Sequence, residues 1–166
     1  MKKQHRYSTT IKWTGNKGNG TSNYKEFERS HSIHIAHKPT ILCSSDPSFL
    51  GDPTKYNPEE LLLASLSSCH MLWYLHLCSV SNIIVTKYTD NAAGIMIEKP
   101  TGIGYFSQVH LNPIVIVSKN EMIEKAIELH KKANEHCFIA NSVNFEVLHT
   151  PNCWVEEYKI PEHNNI

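Results

Sequence analysis

Two cysteine–histidine neighbours are the first candidates for chemistry: Cys69-His70, inside LLLASLSSCHMLWYL, and His136-Cys137, inside EHCFIANS. A cysteine becomes a nucleophile only as a thiolate, so a reactive one needs surroundings that lower its usual pKa of about 8.5. The ordinary reading of a buried cysteine is a small hydrophobe. Three features set Cys69 apart from that reading. It lies mid-way along a long apolar stretch, it is flanked by Ser65, Ser67 and Ser68, and acidic residues Glu59 and Glu60 open the same stretch. Cys137 lies where a second, polar-faced stretch ends. Cys78 is nine residues beyond Cys69, about 13.5 Å along a helix, too far for a bridge while the helix is intact. Cys43 and Cys153 fall near expected strand ends and look incidental.

Histidines crowd these thiols. His70, His76, His130 and His136 lie on the same two stretches, and mixed Cys/His sets can bind zinc. No pair has the HxxxH or CxxC spacing that marks such sites, so no metal is expected. His130 stands seven residues before Cys137 and shares its helix face, where it could tune the second thiol. The glycine run GNKGNG at 15–20 lacks the Lys-Ser/Thr of a phosphate loop, the GxGxxG spacing and a following helix pattern. It reads as a turn.

The elements that must place the thiols follow from patterning. Residues 57–78 begin with Pro58 just inside a helix start and with acids in the first turn, as the helix dipole favours. No full charge occurs from Leu61 to Leu77. A helix apolar on nearly every side belongs in the middle of a domain or between two subunits. Residues 120–137 give a second helix with Asn120 as N-cap, Glu121 and Glu124 early, and Ile123, Ala126, Ile127, Ala133 and Cys137 at helical spacing. Strands are expected at 6–13, 32–36, 40–43, 83–88, 92–97, 105–117 (bent by Pro113), 143–149 and 154–158. Residues 44–57 form a loop. The order strands, helix, strands, helix, strands predicts one α+β domain over residues 1–166, with a polar, frayed tail after about 160.

Composition narrows the function classes. Sixteen basic residues balance sixteen acidic ones, so there is no basic footprint for nucleic acid. The polar opening MKKQHRYSTT has no apolar run behind it, so no export signal is expected. Serines and histidines interrupt the most apolar window, which favours a core helix over a membrane span. Five cysteines without a secreted framework suit a reducing cytoplasm and free thiols.

NPEELLLASLSSCH, followed some seventy residues later by HCFIANSVNFEV, resembles the OsmC/Ohr family of thiol peroxidases, in its OsmC-like branch; the likeness runs from WTGN at Trp13 to about His149. The resemblance implies an intertwined α+β homodimer, with antiparallel sheets around two central helices. It implies reduction of organic hydroperoxides in oxidative or osmotic stress defence. Cys69 would attack the O–O bond and become a sulfenic acid, and Cys137 would close a disulfide with it. No cofactor is implied: an external dithiol, in some members a lipoylated protein, would reopen the disulfide. Glu59 matches the family glutamate that holds an activating arginine, and Arg29 is the candidate for that arginine. Trp73, Phe138 and Tyr56 would line an apolar substrate pocket, and such a funnel would favour bulky organic peroxides. The rival reading keeps the fold as a binding module for a small apolar ligand without turnover.

Glu59 and Cys69 are ten residues apart, about 15 Å along one helix, and cannot touch within one chain. Two antiparallel copies crossing near Ala64 would bring position 59 level with position 69 of the partner. Each site would then be shared.

Overall fold

The structure, a computed structural model, describes residues 3–156. The expected tail after 160, and the end of the last expected strand at 158, lie outside the described residues. The chain forms two compact units, Met1–Leu62 and Leu63–Ile166.

The N-terminal unit is a three-stranded antiparallel sheet in the order β1 (Thr10–Trp13), β2 (His31–His34), β3 (Ile41–Cys43). The GNKGNG segment is a turn. The Asn16 side-chain oxygen accepts from the N–H groups of Gly18 and Gly20 at 2.8 and 3.0 Å, and both glycines take a positive φ, which costs glycine little. The loop after β3 contains a short 3-10 turn at Pro47–Phe49, capped by Asp46.

Helix α1 (Pro58–Val80) starts with a reciprocal cap. Asn57 Oδ1 accepts from the Glu60 N–H at 2.8 Å, while Glu60 Oε2 accepts from the Asn57 N–H at 3.1 Å; two orphan donors are satisfied at once. The helix stops before Asn82, which adopts a left-handed φ of 59°. Its fully covered residues are Leu66, His70, Tyr74 and Cys78, one stripe at four-residue spacing. The opposite stripe, Ala64, Ser68 and Leu72, is exposed, with Leu72 at 62 %.

The C-terminal unit adds β4 (Val85–Asp90), β5 (Ala93–Glu98), β6 (Gly104–Leu111), β7 (Pro113–Val117), α2 (Ile123–His136), β8 (Glu146–His149) and β9 (Asn152–Val155). Residues 105–117 form two strands, not one bent strand. At Asn112 the chain leaves the sheet β5-β6-β8 and enters β4-β7-β9. Pro113 has no N–H for a continued ladder, and the Asn112 N–H is taken by Asp90 Oδ1 at 2.7 Å.

The α+β class is as expected, but the sheets are not purely antiparallel. β8 runs parallel to β6 and β9 parallel to β7. The core gathers Tyr74 and Cys78 of α1, Val115 and Val117 of β7, and Ala126, Leu129 and Ala133 of α2. Small Ala126 and Ala133 sit a heptad apart on α2, on the face that joins this core. Asn120 begins a 3-10 turn instead of capping α2 directly.

Candidate functional site

Cys69 lies at the middle of α1, half-buried, and Cys137 directly after the last residue of α2, buried. Cys69 is near enough to Cys137 to raise the pKa of that thiol, and both are free. Helix α2 has to end where it does for this to happen. Cys137 leaves helical geometry (φ −65°, ψ 108°) while its N–H still bonds the Asn134 carbonyl. The chain then turns into the 3-10 segment Ala140–Ser142, and the Ala140 N–H donates to Cys137 Sγ at 3.4 Å.

Burial separates the two thiols. Burial first, and then the contact with Cys69, push Cys137 up to about 11; N–H groups of Ala140 and Ile139 pull the other way and lose. A thiol in that state stays protonated at neutral pH and is poorly suited to first attack. Cys69 has the exposure to meet a substrate.

Around the thiols lies an aromatic group. The Trp73 ring is 5.5 Å from Phe138, 5.1 Å from His136 and 5.8 Å from His76. Phe138 is 66 % exposed, so this is an open apolar face and not a closed pocket. A shallow depression beside it is lined by Leu72, Trp73 and His76. His136 is fixed by its Nδ1–H donating to the Lys132 carbonyl at 2.8 Å. His76 and His136, two of the histidines whose type could suit zinc, lie instead against the Trp73 ring.

The other expected residues belong to the N-terminal unit. Tyr56 pairs its backbone with Cys43 and Ser44, and its ring is exposed. Arg29 donates from Nη1 to the Phe27 carbonyl at 2.5 Å and from Nη2 to the Tyr24 carbonyl at 2.7 Å. Its guanidinium also sits 4.2 Å from the Phe27 ring and 4.3 Å from the Tyr24 ring. Among the described residues Arg29 makes no ion pair. Glu59 Oε2 is buried with no hydrogen-bond partner among them. The expected Glu59–Arg29 pair is therefore not formed within the described chain.

His130 does not turn towards Cys137. Its Nδ1 meets His70 Nε2 at 2.9 Å, with both rings fully buried. His149 of β8 is a third ring, 5.5 Å from His70. Among the described residues no group of three His, Cys, Asp or Glu side chains is arranged to hold a metal ion.

Residues 51–151 match the family described as OsmC-like protein. An OsmC-like protein of unknown function from Vibrio cholerae has a similar solved structure, with a TM-score of 0.79 and 31 % identity over 90 % of this chain and 100 % of that one. A hypothetical protein from Aquifex aeolicus shares the fold at a TM-score of 0.71 and 17 % identity, over 93 % of this chain and 100 % of that one. So does an organic hydroperoxide resistance protein from Elizabethkingia anophelis, solved with thiocyanate bound, at 0.68 and 19 %, over 93 % and 100 %. No curated protein matches the sequence. The family match spans more than half of the chain, and the 31 % relative aligns along its whole length: the chain belongs to the OsmC-like protein family.

Proposed function

We propose that the protein is a thiol-dependent hydroperoxide reductase that converts organic hydroperoxides to alcohols. The observation that carries this reading is the meeting of a half-exposed thiol on α1 with a buried, protonated thiol at the end of α2. Cys69, as thiolate, attacks the outer peroxide oxygen. The O–O bond breaks, the alkoxide takes a proton and leaves as alcohol, and Cys69 becomes a sulfenic acid. Cys137 then attacks that sulfur; its thiol proton and the sulfenic hydroxyl leave as water, and a disulfide remains. An external dithiol, small or protein-bound as lipoamide, returns both thiols and is itself oxidised. The open Trp73–Phe138 face would bind the organic tail, which hydrogen peroxide lacks.

The working form in this proposal is a cytoplasmic homodimer. The exposed stripe Ala64, Ser68 and Leu72 offers two small residues, Ala64 and Ser68, for close helix approach. Glu59 with an orphaned oxygen, and Arg29 held by carbonyls and rings, are each without a charged partner among the described residues of one chain. That is the arrangement a site shared between two copies would leave in a single one. Arg29 remains the proposed activating cation and Tyr56 a proposed pocket residue.

The test is turnover of cumene hydroperoxide against hydrogen peroxide with a dithiol present. Wild type should prefer the organic substrate at least tenfold, and Cys69→Ser should abolish turnover. Absence of turnover with any dithiol would instead favour a binding module for a small apolar ligand.

A further inference from the structure

Two fully buried imidazoles, one on each of the helices that carry or lead to the thiols, take no part in the chemistry proposed for them. His70 follows Cys69 directly, and His130 is seven residues, about two helical turns, before Cys137. Their 2.9 Å contact is, among the described residues, the one side-chain hydrogen bond between α1 and α2. The rings lie within 10° of parallel, and His130 is stacked on Tyr74 with centroids 3.8 Å apart. We propose that the His70–His130 pair is a proton-operated clasp that holds Cys137 against Cys69, so that acid shuts off disulfide closure. This rests on the two thiols forming a disulfide, which is part of the function proposed above.

The clasp holds as a pair of neutral rings, one nitrogen donating and the other accepting. A proton added to either ring would find no carboxylate hydrogen-bonded to it among the described residues. The groups around the pair are Tyr74 and Cys78 on α1, Tyr88 and Asp90 on β4, His149 on β8 with His110 of β6 beyond it, and Cys153 on β9. Asp90 is the one acidic side chain among them, and its two oxygens are engaged by Ser67 Oγ at 2.6 Å and the Asn112 N–H at 2.7 Å rather than by either imidazole. The closed form also leaves polar atoms unsatisfied. The outer nitrogens, His70 Nδ1 and His130 Nε2, are buried without partners among the described residues, and so are His149 Nδ1 and Tyr88 Oη. Such orphans weaken a buried polar cluster.

Opening hydrates the imidazoles and restores their ordinary pKa near 6.5. In the closed form burial, and then His149, lower His70 to about 4, and burial, His70 and His149 lower His130 to about 3. The open form therefore binds protons below pH 6.5 that the closed form refuses. The closed-to-open ratio falls by up to about tenfold per pH unit for each imidazole until the closed-form values are reached. Above pH 6.5 the clasp is fully effective.

Diamide tests this without a hydroperoxide. A thiolate adds to its N=N bond, the second thiol attacks that sulfur, and the thiols lose two electrons and two protons to give a hydrazine. The readout is the rate of Cys69–Cys137 disulfide formation, followed by mass spectrometry, as the ratio between pH 7.5 and pH 5.0. His130→Asn and His70→Gln put an amide where the bonded ring nitrogen was, keeping a hydrogen bond that does not titrate. His130→Leu removes the bond. Circular dichroism confirms which variants are folded. The expected result is a ratio at least tenfold smaller in whichever amide variant is folded than in wild type, and closure at least tenfold slower at pH 7.5 in His130→Leu. A wild-type ratio in the folded amide variants, or wild-type closure in His130→Leu, overturns the clasp. Gated closure by diamide with no hydroperoxide turnover would sink the reductase reading alone. Ungated closure with normal turnover would sink the clasp alone.

Discussion

A thiol with a pKa of about 11 is ionised in roughly one molecule in ten thousand at pH 7, whereas a resolving thiol needs only to be close when a sulfenic acid forms beside it. The division of labour between Cys69 and Cys137 follows from burial more than from any special neighbour. Reaction with iodoacetamide at pH 7.5 should show it: Cys69 should be alkylated at least tenfold faster than Cys137 in the reduced protein, by peptide mass spectrometry. Equal rates would mean that exposure and charge state do not separate them. The two thiols could be found from the sequence because each marks a place where pattern changes, the middle of an apolar helix and the end of an amphipathic one. His130 was less legible. A spacing of seven fixes a helix face, yet a face can be shared by several neighbours, and here His70 and Tyr74 take the ring instead of Cys137. His149 gave no signal, since only the long-range placement of β8 brings it to the pair.

Helix α1 depends on how it begins. Pro58 cannot donate, Glu59 and Glu60 face the positive end of the dipole, and Asn57 closes the reciprocal cap with Glu60. Asn57→Ala should cost about 1 kcal/mol in urea unfolding, with the Glu60 N–H losing its partner; no change would show that the cap is not coupled to global stability. The helix was legible in its start and its length, because these are local. Its surroundings were not. An unbroken apolar sequence predicts cover on all sides, and one chain covers only the stripe from Leu66 to Cys78. Pro113 was legible as an interruption, but whether a strand bends or changes sheet depends on which strands arrive beside it. Periodicity assigns faces to a strand, not partners, so the parallel joining of β8 and β9 was hidden.

At the scale of the molecule two properties can be measured. If the Ala64–Ser68–Leu72 stripe is the contact of a dimer, Leu72→Asp should give a monomer in sedimentation analysis while keeping the helical content of wild type. A dimer unaffected by that change would place the contact elsewhere. Stability should also depend on pH. His70, His130 and His149 are held neutral with lowered pKa, chiefly by burial. The unfolded chain therefore binds more protons than the folded one below pH 6.5. Their contribution is complete above 6.5 and lost as pH falls towards about 4. Between pH 6.5 and 5 the loss should reach about 2 kcal/mol for each imidazole that stays neutral in the fold. The urea midpoint should drop over that range and recover part of the loss in His149→Phe.

The parallel seating of β8 and β9 also shapes how the protein is made. Both sheets of the C-terminal unit take their third strand from residues 146–155. Until that segment leaves the ribosome, β6 and β7 each carry an open edge of unpaired N–H and C=O groups. Neighbouring nascent chains on one polysome present the same two edges. The interval before those ten residues emerge is thus when this protein is most exposed to mispairing with its own copies.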